Sequence, residues 1–502
     1  MNNFNKEIWL FNPDYETKWD LDRVCLYSKR KIQYDGCQDW ISYIHPVHAH
    51  IFRSFRSGKT FKTVIENLSE ELNCDTNRLY DLLKSYMNNS ESIYVEVKGD
   101  KVPLPKNILI PKPSEFKIGN LDNSFDYLDV NVSNICLNQD RSHRAPNSIL
   151  WMLTNKCILN CKYCYADRNT KNATLPIGRY IELIDEAKML GIQYVDIIGG
   201  EIFLYPYWDI ILKKLVDYDI QPTYISTKLP IHGGIIRKLI ECKFDGIVQV
   251  SLDSINFSTL KEFLCCTPNY IDRIKRTIID LDKNNFKIQI NTVLTKFNTN
   301  INEIDALYSF IRNIRNLTLW EIRVPEVSLY NQAEFNMVMT NKESIIKLKE
   351  YVIDNIVSIF DKQIVFSDDV LNVDYGTAED SENCFYGGSC GILKNRFFVL
   401  PDGKVTICEQ LYWNPNYIIG DLAYQSIEEV WQSKKALKLF RMTEGYYNNE
   451  SLCIKCGIFE ICYKKRRKCI VKTLKAYGKD RWYYPDPRCK YAPFVENNLI
   501  YK

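Results

Sequence analysis

The residues with most chemical capacity in this chain are three cysteines on one short segment. Thr154 to Cys164 reads TNKCILNCKYC, so Cys157, Cys161 and Cys164 are separated by three and then two residues. Three thiolates on one loop can hold three irons of a [4Fe–4S] cluster. With no fourth cysteine nearby, the fourth iron stays open to a chelating substrate. A zinc site short of one ligand is the alternative that the same residues allow.

A second set lies between residues 384 and 489. It runs Cys384-x5-Cys390-x12-Gly403-x4-Cys408, then Cys453-x2-Cys456-x5-Cys462-x6-Cys469, and ends at Cys489. Eight thiolates match two four-ligand sites, either iron–sulfur or structural zinc. Pro401-Asp402-Gly403 is a hairpin-turn signal that would bring Cys390 and Cys408 together. Glu409, beside Cys408, is a candidate proton acceptor, although a loop acid is also an ordinary surface residue. The basic run 464–468 (KKRRK) reads as a solvated loop between two cysteines rather than a nucleic-acid contact.

The remaining composition narrows the class. The chain has 502 residues, 18 cysteines, only five histidines and a net charge of +3. Scarce histidine argues against a histidine-rich catalytic metal site. Dense cysteine without a signal-like N-terminus fits a reducing cytoplasm and metal ligation rather than disulfides. The near-neutral charge gives no reason to expect nucleic acid, and no apolar run of about 18 residues suggests a membrane span. Cys25, Cys37, Cys74, Cys136, Cys242, Cys265 and Cys266 read as small apolar side chains.

The elements that must position these groups follow from periodicity. From residue 148, apolar β-rich runs alternate with amphipathic helical ones. Strands are expected at Ile149–Thr154, Gln193–Ile198, Thr223–Ser226, Ile247–Leu252, Lys287–Leu294 and Leu317–Arg323. Helices are expected at Pro176–Leu190, Trp208–Tyr218, Gly234–Cys242, Tyr270–Asn284 and Asn302–Asn313. Such repeats give an α/β fold with parallel strands, as a partial (β/α)6 barrel or an open sheet, with ligands at the carboxyl ends of the strands. Polar residues recur there: Gly199-Gly200-Glu201, Ser226-Thr227, Ser251-Leu252-Asp253 and Arg323. Glycines let backbone approach a ligand, and the carboxylate and guanidinium can pair with opposite charges.

Residues 1–100 read as a small winged-helix-like unit, 101–147 as a Pro-containing linker, 148–375 as the β–α core and 376–502 as a metal-dependent cysteine-rich domain. Within the first unit, strands are expected at Val24–Tyr27, Trp40–Ile44 and Ser92–Val97. Helices are expected at His48–Ser57, Phe61–Leu72 and Thr76–Met87, the last capped by Asp75. Residues 23–101 hold 12 Lys/Arg and 10 Asp/Glu, which is not a phosphate-binding face. His45, His48 and His50 read as helix-start contacts and packing rather than metal ligands.

The Cys157-x3-Cys161-x2-Cys164 motif with Tyr163, the Gly-Gly-Glu segment and Val250-Ser251-Leu252-Asp253 resemble the radical S-adenosylmethionine (SAM) superfamily over residues 148–325. The resemblance implies that the open iron binds the amino and carboxylate groups of SAM and that Glu201, with Gly199 and Gly200, receives the ammonium. Tyr163, Ser226, Ser251 and Arg323 join the implied cofactor-binding set. It also implies a 5′-deoxyadenosyl radical that removes hydrogen from a substrate, with an electron donor such as flavodoxin or ferredoxin. The chain departs from the family where relatives often carry a basic residue and Cys265-Cys266 stand here, which moves the SAM carboxylate contact to another group such as Arg323.

The later cysteines resemble the SPASM extension, with x6 where x3 is usual before Cys469. That resemblance implies one auxiliary [4Fe–4S] cluster on Cys384, Cys390, Cys408 and Cys469, and a second on Cys453, Cys456, Cys462 and Cys489. The N-terminal order of elements resembles the PqqD-like domain that captures leader sequences of ribosomally made (RiPP) peptides as an added strand. Together these imply maturation of a precursor peptide by a thioether or carbon–carbon crosslink. An anaerobic sulfatase-maturating type of enzyme and a non-catalytic zinc-rich binding protein are the alternatives.

Overall fold

A computed structural model describes residues 6–97, 99–117, 135–137, 141–170, 173–367, 390–442, 447, 450–464 and 468–495. The chain forms two compact units, residues 1–145 and 146–502.

The first unit has a three-stranded antiparallel sheet, ordered β2-β3-β4, of Tyr15–Asp20, Arg23–Ser28 and Ile41–Ile44. Three helices follow: α1 (Pro46–Ser54), α2 (Phe61–Glu71) and α3 (Thr76–Lys84). Two ribbons complete the unit: β1 (Trp9–Phe11) with β7 (Leu109–Pro111), and β5 (Ile93–Val97) with β6 (Asp100–Leu104). The predicted cap at Asp75 is present, its carboxylate accepting from the amides of Asn77 and Arg78 at 2.9 and 3.0 Å. The histidines act as expected. His45 Nδ1 accepts from the Val47 amide, His50 meets Glu71 at 2.8 Å, and His48 packs on Phe52 and Tyr86.

Two expectations for this unit are corrected. Residues 1–20 contribute strands, because Trp9, Leu10, Phe11 and Tyr15 are all buried. The span read as a linker begins with β6 and includes β7, and the compact unit runs to residue 145. Proline does not break β6, because among the described residues its partner is β5 alone and Pro103 lies opposite Tyr94 in a two-stranded ribbon. An edge position tolerates the missing N–H. A buried ion pair, Arg23 to Asp20 at 2.9 Å, ties the sheet to residues further on, since Asp20 also accepts from the amides of His143 and Arg144.

The second unit is the β–α fold. Its parallel strands are β8 (Ser148–Met152), β9 (Tyr194–Ile198), β10 (Tyr224–Thr227), β11 (Ile247–Ser251), β12 (Lys287–Val293) and β13 (Leu317–Arg323), with β14 (Gln363–Ser367) as a seventh. They lie in two five-stranded sheets, β10-β11-β12-β13-β14 and β17-β16-β15-β8-β9. Helices α4 (Ile177–Met189), α5 (Trp208–Asp217), α6 (Gly233–Glu241), α8 (Tyr270–Lys283) and α9 (Ile301–Ile311) match the expected spans within a residue or two, and α7 (Phe257–Leu264) was not foreseen. In α4 the buried residues are Tyr180, Leu183, Ile184 and Ala187, one stripe at helical spacing. Trp151 of β8 meets Tyr180 at 5.5 Å between ring centres, which fixes α4 on the sheet.

The cysteine-rich region holds more regular structure than its sequence suggests. The hairpin β15 (Arg396–Val399) and β16 (Lys404–Thr406) turns at 401–403 as expected, and β17 (Ile418–Asp421) pairs beyond it. β15 lies parallel to β8, with Arg396 opposite Ser148, so this hairpin extends the core sheet instead of standing apart. Helices α12 (Ile427–Trp431), α13 (Lys434–Arg441), α14 (Phe459–Lys464) and α15 (Ile470–Tyr477) follow. Ser426 and Glu429 form a complete capping box at the start of α12, a signal that was present in the sequence. Helices α10 (Gln332–Val338) and α11 (Lys342–Val352) bridge β13 and β14.

Candidate active site

The three-cysteine loop leaves β8 and is pinned where it passes β9. The Gly200 amide donates to Thr154 O at 2.7 Å and the Glu201 amide to Lys156 O at 2.8 Å. This approach is why glycine is needed: a Cβ on Gly200 would stand 2.3 Å from Lys156 O, and one on Gly199 2.9 Å from Thr154 O. The loop is held on its other side by the Lys162 amide to Phe263 O at 2.9 Å and by Asn331, which donates to Cys164 O at 3.3 Å. Cys161 is buried, Cys164 half-buried and Cys157 exposed. Burial pushes the Cys161 thiol up to about 12, with Lys228 opposing and the Cys164 and Cys157 charges adding to the rise.

Three strand ends deliver a polar cluster beside this loop. Glu201 is buried, and its carboxylate accepts from the Thr227 hydroxyl at 3.0 Å and from the Lys228 and Leu229 amides at 3.1 Å each. Burial outweighs these donors and raises its pKa to about 7. Lys228, directly after β10, donates to Asp253 Oδ2 at 2.6 Å and to the Tyr163 hydroxyl at 2.5 Å. Tyr163 in turn donates to Asp253 at 2.5 Å. Burial works against the Lys228 charge, but Asp253 and then Cys161 outweigh it and hold its pKa above the ordinary lysine value.

Sequence reasoning named Ser226 and Thr227 and passed over the next residue, Lys228. Its position one step past a strand end was the available signal. Lys228 is a basic group within electrostatic reach of Cys161. Arg323 sits half-exposed at the end of β13, bound to Glu321 at 2.8 Å. Ser226 accepts from Gln249 at 2.9 Å, within a ladder of amides and acids that continues through Gln289 to Glu321. Ser251 ends β11 and is half-buried.

Glu409 is part-buried rather than a free loop acid. Burial and then the Glu326 charge raise its pKa, while Arg323, Arg396 and Lys475 draw it down. Its carboxylate is the main cause, ahead of burial, that raises the Tyr165 hydroxyl well above its ordinary value, and Cys164 and Cys408 add to that effect. Tyr165 therefore lies within electrostatic reach of Glu409, Cys164 and Cys408.

All the C-terminal cysteines among the described residues line one cavity of about 140 Å³, with Lys468 and Asp486. Cys384 lies outside the described residues. Cys408 is raised by burial, Glu409 and the Cys469 and Cys390 charges, so these three thiols lie within electrostatic reach of one another. Cys489 is raised by burial and by Cys453 and Cys456. Among the described residues, no three His, Cys, Asp or Glu side chains converge as a single bound ion would require. A cube of iron and sulfur holds its thiolates at separate corners, wider apart than one ion does. An all-sulfur donor set around a shared cavity fits such clusters.

Residues 151–311 match the Radical SAM superfamily, and residues 390–457 match the SPASM iron–sulfur cluster-binding domain. The chain is 26% identical to the AdoMet-dependent heme synthase of Methanosarcina barkeri over 368 residues, 70% of this chain and 97% of that protein. It is 21% identical to the subtilosin biosynthesis protein AlbA of Bacillus subtilis over 328 residues, 63% of this chain and 66% of that one. Its fold matches the crystal structure of Streptococcus suis SuiB bound to precursor peptide SuiA, with a TM-score of 0.61, 16% identity and coverage of 96% of this chain and 100% of that one. The SPASM match replaces the zinc reading of the later cysteines with iron–sulfur chemistry. No helix among the described residues is long and apolar enough to cross a membrane. The loop of three thiolates and the buried carboxylate lie within the first match, so the chain carries the domain of radical SAM enzymes followed by a SPASM iron–sulfur domain.

Proposed function

We propose that this chain matures a ribosomally made precursor peptide, closing a thioether or carbon–carbon crosslink. The observation that carries the reading is the fold shared along 96% of the chain, N-terminal unit included, with a protein crystallised with its precursor peptide. Cys157, Cys161 and Cys164 would hold a [4Fe–4S] cluster, which would supply the electron for reductive cleavage of SAM to a 5′-deoxyadenosyl radical. Glu201 pairs with the SAM ammonium, and Lys228 takes the carboxylate contact first given to Arg323. Asp253 and Tyr163 hold the Lys228 ammonium in place for that role. Cys384, Cys390, Cys408 and Cys469 hold one auxiliary cluster, and Cys453, Cys456, Cys462 and Cys489 hold the other.

A crosslink removes two hydrogens from the peptide, one as an atom and one as a proton plus an electron. Glu409, raised by burial and next to Cys408, accepts the proton, and an auxiliary cluster held by the later cysteines would take the electron. The N-terminal unit captures the leader as a strand added to the β2-β3-β4 sheet.

The test is anaerobic incubation of the iron-loaded protein with SAM, reductant and short leader-bearing peptides encoded beside it, read by mass spectrometry. The expected product is about 2 Da lighter. Deleting residues 1–145 should abolish modification while 5′-deoxyadenosine still forms. Undiminished modification by the truncated protein would refute the leader-capture reading.

A further inference from the structure

The basic run 464–468 reads as solvated, yet its last member turns inward. Lys468 lines the cysteine cavity. Its ammonium donates to Trp482 O at 2.5 Å and stands 4.9 Å from the Tyr447 ring centre and 5.7 Å from that of Trp482. These two rings lie 5.3 Å apart beside the charge. Burial draws the Lys468 pKa down to about 8, against the opposing pull of Cys453, Asp486, Cys462 and Cys469, so the side chain is mostly cationic at pH 7. Asp486 does not cancel that charge alone, because its carboxylate is already engaged by Arg488 at 2.9 and 3.0 Å and by the Cys469 amide at 2.9 Å.

A cluster that accepts one electron gains one negative charge. A fixed cation nearby, inside an aromatic-walled cavity, favours the reduced form more than the oxidised one. We propose that Lys468 sets the redox poise of the auxiliary site, its positive charge raising the reduction potential of the cluster on Cys453, Cys456, Cys462 and Cys489. The inference rests on the auxiliary-cluster reading above. It gives the residue directly before Cys469 a role, since Lys468 lines the cavity. The cluster is then a readier acceptor for the electron that crosslinking releases.

The test is a redox titration of the full-length, iron-loaded protein, followed by electron paramagnetic resonance, for wild type, Lys468→Met and Lys468→Arg. Lys468→Met should lower the reduced-to-oxidised ratio of one auxiliary cluster about tenfold at fixed potential, a downward shift of ~59 mV for one electron. The SAM-binding cluster should keep its midpoint, and Lys468→Arg should stay within about twofold of wild type. An unchanged auxiliary midpoint in fully loaded Lys468→Met overturns the proposal, as does an equal shift of every cluster. Lys468→Gln keeps a donor for Trp482 O and replaces methionine if iron loading fails. Iron loss in both neutral variants but not in Lys468→Arg would make the residue a retention element and also overturn the proposal. Wild type that loads only four irons would be a different result, sinking the auxiliary-cluster reading itself.

Discussion

Glu201 offers the sharpest use of the geometry, because its burial changes when SAM can bind. Its pKa stands at about 7 against an ordinary 4.5, burial being the main cause. Pairing with the SAM ammonium requires the carboxylate, so free enzyme must lose a proton before it binds. Binding therefore strengthens as pH rises through 7 and weakens below it. The apparent Kd scales with one plus the ratio of protonated to ionised Glu201. That factor is about 11 at pH 6.0 and about 1.3 at pH 7.5, roughly an eightfold change. A carboxyl at the ordinary value would change by only about 3% over the same interval. Calorimetric titration of the iron-loaded protein with SAM, without reductant, measures this directly. Glu201→Gln is the control. Its amide can satisfy Thr227, Lys228 and Leu229 but cannot ionise, and the loss of a charge-assisted bond should weaken binding by about 1.5–3 kcal/mol. SAM's own amine titrates equally in both experiments. Equal ratios of Kd between the two pH values in wild type and Glu201→Gln would refute the reasoning.

Gly200→Ala should lower the thermal midpoint by a few degrees, since a Cβ would meet the Lys156 carbonyl at 2.3 Å and backbone cannot yield cheaply. Overpacking of this kind costs about 1–3 kcal/mol, and an unchanged midpoint with unchanged SAM affinity would contradict the close approach of β8 and β9. Arg23→Met should destabilise the N-terminal unit by about 3–5 kcal/mol, because Asp20 stays buried without its cation. Hydrogen exchange should then rise across that unit while β8–β13 keep their protection, and unchanged exchange would be the failing outcome.

The parallel strands and their helices were legible because each carries a clean period. Leu317–Arg323 is observed as expected, and α8 buries Ile271, Ile274, Ile278 and Leu281 on one stripe. The cysteine loop and Gly199-Gly200-Glu201 were legible as chemistry because their residue types have few other uses together. Two things were hidden for physical reasons. The pairing of β15 with β8 joins residues about 250 positions apart, and no local pattern encodes such a partner. Lys228 and Lys468 look like surface lysines in sequence, and only the fold shows one beside Asp253 and the other between Tyr447 and Trp482.

The most direct test is SAM cleavage by the anaerobically prepared, iron-loaded protein under strong reductant, with 5′-deoxyadenosine quantified by liquid chromatography and mass spectrometry. Wild type should form it in amounts at least equal to the enzyme present, and Cys161→Ala should form none. An equal yield from Cys161→Ala, or no yield from wild type with all its iron in place, would contradict the site described around Cys157, Cys161 and Cys164.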